Sequence, residues 1–214
     1  MTDGKTMPFP NRIPLVIGVT GHRDLLDADI GRLKQDVAAV FERLKTDYLG
    51  RDGETPMIVL SALAEGADQL VAQVALDLGA ALIAPLPLPL SEYRRDFVER
   101  PIGADAIGAF ERLLEKAIAT PQMPLAPGNE AGDIEKFGPK RDLQYREANL
   151  FIARHCHVLI ALWDGDTSDL AVGGTAEMVA YKRNGIPLKI SGSARAGIDG
   201  IEIGPVIHVL APRH

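Results

Sequence analysis

The 214-residue chain has a single cysteine, Cys156. One thiol excludes an intrachain disulfide and any zinc site built on several thiolates, and it agrees with a reducing, cytoplasmic setting. No uninterrupted apolar stretch approaches the roughly 20 residues needed to span a bilayer. The opening residues, MTDGKTMPFPNR, lack the apolar core of a signal peptide. A soluble protein with no membrane partner is therefore expected. Positive charge is also in short supply: 23 Lys and Arg face 29 Asp and Glu, a formal net charge of −6. A field of that sign repels nucleic acid and anionic lipid as bulk partners, while a local basic pocket can still hold one small anion. Two phosphate-handling signatures are missing as well. Without GxxxxGK[ST] the chain is not a nucleotide triphosphatase of the P-loop kind, and without GxGxxG after the first apolar run, hydride transfer from a dinucleotide has no support. No cofactor and no metal are expected.

What the chain does have is alternation. An apolar run at 13–19 is followed by Ile30, Leu33, Val37, Val40, Phe41, Leu44 and Tyr48 at three- and four-residue spacing, which predicts a strand, a loop and an amphipathic helix. The unit repeats: a turn at 50–56, a buried strand at 57–60, then a helix carrying Ala67, Leu70, Val71, Val74, Ala75 and Leu78 that Gly79 stops. A third strand is expected at 80–86, ending in an extended segment imposed by Pro85, Pro87 and Pro89. Two helices follow, the clearer one marked by Ala106, Ile107, Phe110, Leu113, Leu114, Ala117 and Ile118. A Pro/Gly-rich stretch at 120–140 reads as a mobile loop. Beyond it come a helix at 142–154, a strand at 158–163, a helix at 175–184 stopped by Gly185, and strand candidates at 186–190 and 206–210. Strands alternating with helices predict one α/β domain over 13–214, preceded by a short extension at 1–12, with a doubly wound, mostly parallel sheet and helices on both faces.

In such a sheet, every loop that leaves a strand for a helix lies at the carboxyl edge. Three unusual loops should therefore meet: Thr20-Gly21-His22-Arg23-Asp24, Ser61 to Asp68 with Glu65 and Gly66, and Asp164 to Glu177 with Gly173-Gly174-Thr175. Gly173-Gly174-Thr175 opens a helix, where backbone amides and dipole suit a phosphate, with the Thr175 hydroxyl as an added donor. The plainer reading is a glycine turn with Thr175 as an ordinary helix cap. Arg23 offers a forked cation for a phosphate or carboxylate, or a surface pair with Asp24 or Asp27. His22 hydrogen-bonds ligand or its own loop. Ser61 and Asp68 are placed to touch ribose or phosphate, although Asp68 also suits the positive first turn of its helix.

Other features carry less. His155-Cys156-His157 has no evident partner carboxylate, so a structural role is preferred to a metal site. Asp164, Asp166 and Asp169 have the oxygen chemistry of a magnesium site, and equally that of ordinary turns. Tyr93-Arg94-Arg95 reads either as a lid on the carboxyl edge or as a solvated helix start.

Taken together, GVTGHRDL, SALAEGAD, LPLPLSEYRRDF and LIALWDG followed by GGTAEMV resemble bacterial proteins of the SLOG superfamily, over residues 13–185. That superfamily includes the DNA-processing protein A family, the Lonely-Guy phosphoribohydrolases and domains thought to sense nucleotides. The resemblance implies a Rossmann-like fold that binds or senses a nucleotide or nucleotide-derived ligand beneath Thr20, Gly21, His22, Arg23, Ser61, Glu65, Gly66, Asp68, Asp164, Gly173, Gly174 and Thr175. Two rival activities come with it. As a phosphoribohydrolase, the chain would use Glu177 to help break an N-glycosidic bond, and a homodimer would be expected. Here Glu177 follows Thr175 by two residues instead of three, and one helix residue rotates a side chain by about 100°. As a single-stranded DNA-binding module, it would use SALAEGAD in place of SGxAxGID, with Ala62 standing where the family has glycine, and its acidic charge disfavours that partner. The later run SGSARAGID, residues 191–199, is read as a chance likeness.

Overall fold

The computed structural model describes residues 12–48, 55–168, 170–191 and 203–213. Five strands, β1 (Leu15–Gly21), β2 (Met57–Leu60), β3 (Ala81–Ile83), β4 (Val158–Trp163) and β5 (Val206–Leu210), form one sheet. Its order is β3-β2-β1-β4-β5, and every pairing is parallel. This is the doubly wound Rossmann-like topology: the chain builds outward from β1 through β2 and β3, then returns to the other side of β1 to lay down β4 and β5. The four strands expected near 13, 57, 80 and 158 are neighbours in one parallel sheet, as their pattern of apolar run then helix predicts.

Alternation along the strands supplies both faces with a core. Leu15, Ile17 and Val19 of β1 join Met57, Val59, Val158, Ile160 and Leu162 in a cluster with α1 (Ile30–Asp47), α2 (Ala67–Asp77), α3 (Leu90–Glu99) and α4 (Ala106–Lys116). The opposite face, with Ile58, Leu60, Leu159, Ala161 and Trp163, packs on Ile152 and Cys156 at the end of α5 (Pro139–His155) and on Met178 and Val179 of α6 (Thr175–Asn184). Helix α5 comes unusually close to β1. A Cβ at Gly18 would sit 2.8 Å from both Cys156 Sγ and Ile152 Cγ2. Gly18→Ala is accordingly expected to cost about 1–3 kcal/mol by overpacking, read as a lowered denaturant midpoint; an unchanged midpoint would show that the α5–β1 contact is looser than described.

Two expectations are revised. The candidate strand at 186–190 is instead followed into a short helix, α7 (Leu188–Ser191), opened by Pro187, whose carbonyl accepts from Ile190 N. Proline cannot donate to a ladder, and the place beside β4 is taken by β5. The third strand is shorter than its apolar run, but its free edge is covered. Ile118 N donates to Leu82 O, Ala84 N to Ala119 O and Leu86 N to Pro121 O, so the chain at 118–123 lies along it. The Pro/Gly-rich stretch contains a 3-10 turn (Ala131–Glu135) with a capping box between Glu130 and Asp133, and Gln144 binds Ala126 N and Pro124 O through its amide. The turn at 50–56 and the run at 191–199 lie largely outside the described residues. No helix among the described residues is long and apolar enough to cross a membrane.

Candidate functional site

The winding direction reverses between β1 and β4, so the loops leaving these two strands diverge to opposite faces and open a crevice at their carboxyl ends. A cavity of about 370 Å³ occupies that crevice. Thr20, Gly21, His22, Arg23, Asp68, Asp164, Gly173, Gly174 and Thr175 line it, so residues from all three predicted loops converge there. Ser61, Glu65, Gly66 and Glu177 do not line it, and each has a role in shaping the loops.

In the first loop, Thr20 and Gly21 are still in β1, paired with Ala161 and Leu162. A Cβ at Gly21 would lie 2.3 Å from Leu162 O, and one at Gly66, whose φ is +76°, 2.4 Å from Arg23 O. Glycine is thus required where the first two loops press together, a contact closed by Ala67 N donating to His22 O at 3.0 Å. Arg23 Nη2 donates to Glu65 Oε2 at 2.9 Å, not to Asp24 or Asp27. Glu65 is buried, and its other oxygen accepts from Ile102 N and Gly103 N, so it fixes the arginine and the segment beyond α3 together. Ser61 Oγ accepts from Leu63 N and donates to Asp68 O, which steadies a turn where buried Leu63 has φ +60°. Asp68, on the first turn of α2, is 8% exposed, and its carboxylate is reached by Ala64 N at 3.4 Å. Burial raises its pKa from 3.8 to about 7, against the opposing effect of loop hydrogen bonds and Arg23.

His22 Nε2 lies 3.0 Å from Asp164 N and 3.1 Å from Asp164 Oδ1. The neutral ring accepts from the amide; the protonated ring donates to the carboxylate. Asp164 Oδ1 also accepts from Asp166 N, the main cause of its lowered pKa, and Asp166 Oδ1 accepts from Ser168 N. These two aspartates therefore serve as turn acceptors. Asp169 lies outside the described residues, and among the described residues no cluster of three metal-ligating side chains forms.

Helix α6 spans the predicted residues, with Gly174 as N-cap and no side-chain cap, so Thr175 is its first helical residue and not its capping group. Gly173 N donates to Glu177 Oε2 at 2.8 Å and Gly174 N to Ala171 O at 2.9 Å. The two glycine amides are spent within the loop. The donors left for an anion are the first-turn amides of Thr175, Ala176 and Glu177, which have no intrahelical partner. Glu177 Oε1 accepts from Tyr181 OH at 2.6 Å. Both oxygens of the residue on which glycosidic cleavage would depend are thus bound outside the cavity.

Apart from Tyr93, the far wall was not anticipated from the sequence. Tyr93, Asp96 and Phe97 of α3 and Tyr145, Ala148 and Asn149 of α5 complete the cavity. Asp96 accepts from Arg141 Nη2 at 2.5 Å and from Tyr145 OH at 2.7 Å, while Arg141 Nε donates to Tyr145 OH at 2.9 Å. Arg141 is 1% exposed and also donates to Glu92 O and Ile134 O. Asn149 holds Gly173 O at 2.9 Å, joining this wall to the glycine loop. Of Tyr93-Arg94-Arg95, Tyr93 lines the cavity, whereas Arg94 pairs with Glu111 and Arg95 with Glu92 and Glu99. The three-residue run at 155–157 is divided: His155 Nδ1 contacts Phe151 O, Cys156 packs against Gly18, and His157 Nδ1 accepts from Val16 N.

Fold and cavity together define a doubly wound α/β protein with a crevice at its topological switch point. No protein-family model matches the chain, and no curated protein matches it. Among solved structures it is similar to the X-ray structure of DNA processing protein A (DprA) from Streptococcus pneumoniae, at 16% sequence identity and a TM-score of 0.45. The match covers 89% of this chain and 59% of that one, so the chain spans about three-fifths of that protein's length.

Proposed function

We propose that this chain is a single SLOG-type domain that binds or senses a nucleotide or nucleotide-derived phosphorylated ligand in the crevice between β1 and β4. The observation that carries the reading is the meeting of two unlike surfaces in one cavity. One is the start of α6, where first-turn amides and the helix dipole suit a phosphate. The other is the wall of Tyr93, Phe97 and Tyr145, whose aromatic rings offer apolar surface for a base or sugar. The binding reading is preferred to base release because the Glu177 carboxylate is held by Gly173 N and Tyr181 OH. It is preferred to DNA binding because the site is a cavity in a protein of formal net charge −6, whereas a strand-tracking site is a positively charged groove.

Thermal denaturation against AMP, GMP, CMP, UMP and their diphosphates tests it. A ligand that binds only the folded chain adds about 2.7 kcal/mol at a hundredfold excess over its dissociation constant, and at least one nucleotide should raise the melting temperature accordingly. Gly174→Val should remove the shift, since a side chain there meets Ala171 O 2.9 Å from its Cβ and displaces the loop that aims the α6 amides. Arg23→Ala should weaken it by releasing the first loop from Glu65, to which Arg23 holds it. If no nucleotide in the panel moves the transition, the reading fails.

A further inference from the structure

Asp68 is the cavity's odd carboxylate. Of the cavity's other acids, Asp24, Asp164 and Asp166 are more open to solvent, and buried Asp96 is held by Arg141 and Tyr145. Asp68 has neither. Arg23, the cation of the neighbouring loop, is turned away to Glu65 at 2.9 Å, and no ion pair to Asp68 forms among the described residues. Beyond its own loop Asp68 faces the Tyr93 phenol, which donates elsewhere, to Ala62 O at 3.0 Å, and near that phenol lies Asp96 on the same helix. His22, on the loop after β1, is engaged with Asp164. A carboxyl that lines a cavity, is more than nine-tenths buried and has no ion pair, only loop contacts from Ala64 N at 3.4 Å, Ser61 and Ala62, loses more by desolvation than those contacts return.

Resting on the nucleotide-binding reading, we propose that Asp68 is a specificity-determining residue of this cavity that keeps its proton in the complex and donates it to a hydrogen-bond acceptor on the ligand. A phosphate bound at α6 adds negative charge to the same cavity and holds the proton more firmly. The ligand class is thereby narrowed to phosphorylated molecules presenting a ring nitrogen or carbonyl oxygen at the Asp68 end. A vicinal diol, which would reward an ionised acceptor, is disfavoured there. The raised pKa of about 7 places the change of protonation in an accessible range.

The ordinary outcome for a binding carboxylate would be affinity that rises with pH; here it should fall. Titrations of the wild type and Asp68→Asn with AMP, GMP, CMP and UMP from pH 6 to 8 decide the matter. The phosphate itself ionises near pH 6, so the variant, which keeps an N–H donor and cannot ionise, supplies the baseline. For the nucleotide that binds, wild-type affinity should weaken about tenfold relative to Asp68→Asn across that interval. Asp68→Ala should bind weakly at every pH. Calorimetry of the wild type in two buffers of different ionisation enthalpy provides a check that needs no variant: proton uptake on binding at pH 7.5 is expected. Parallel pH profiles, or no proton uptake, would overturn the role of Asp68 and leave the nucleotide site standing. If neither these four nor their diphosphates bind to wild type at any pH, the site reading itself falls, and this inference with it.

Discussion

Asp96→Ala is expected to lower the unfolding free energy by about 3–5 kcal/mol, the cost of leaving one member of a buried ion pair without the other. Arg141 is 1% exposed and gives Asp96 its shortest contact, at 2.5 Å, while Tyr145 OH reaches the second carboxylate oxygen at 2.7 Å. Removing the carboxylate strands a guanidinium that cannot reach water and leaves the phenol without its acceptor. Glu92, 3.4 Å from Arg141 Nη1, offsets part of the loss. Because the network ties α3 to α5 across the cavity, the same variant should also loosen the wall formed by Tyr93 and Tyr145. Equilibrium denaturation measures the first effect; a change below about 1 kcal/mol would mean that Glu92 and backbone carbonyls alone satisfy Arg141.

The second large effect is a pH dependence. Burial holds the Asp68 pKa at about 7 in the folded chain, against 3.8 for the unfolded carboxyl. The folded state therefore keeps a proton that the unfolded chain releases at lower pH. The resulting stabilisation is complete below about pH 4 and is lost as pH rises through 7, a swing of about 4 kcal/mol. Asparagine has no proton to lose, so Asp68→Asn should gain on the wild type by about that amount between pH 4 and pH 8. Taking the difference between the two proteins cancels the other titrating groups. A flat difference would show that Asp68 ionises in the folded chain as it does in water. A residue that costs stability at neutral pH is the kind retained at a binding site.

Much of this architecture could be read from the chain because parallel, doubly covered strands are written as short apolar runs. The runs at 57–60 and 158–163 match β2 and β4, and Gly185 stops α6 as expected, with φ +85°. The run at 186–190 misled because hydrophobicity alone does not separate a short helix from a strand; Pro187 was the overlooked signal. Near the site, the convergence of three loops followed from topology, but the division of labour within them did not. Glu65 and Gly66 shape the loops that Arg23 and His22 occupy, because packing between loops decides which side chain faces the cavity. The α3–α5 wall stayed hidden because Arg141, Tyr145 and Asn149 are polar and lie on one helical face at four-residue steps, a pattern that reads as solvent-facing until the second helix is in place.

The central claim is that a phosphate sits at the start of α6 with the rest of the ligand against the α3–α5 wall. A crystal structure determined with the nucleotide that most raises the melting temperature tests it most directly. Phosphate oxygens should lie within hydrogen-bond distance of the Thr175 and Ala176 amides, with the base or sugar between Tyr93 and Tyr145. A nucleotide bound outside the β1–β4 crevice, or bound inside it with its phosphate turned away from α6, would contradict it.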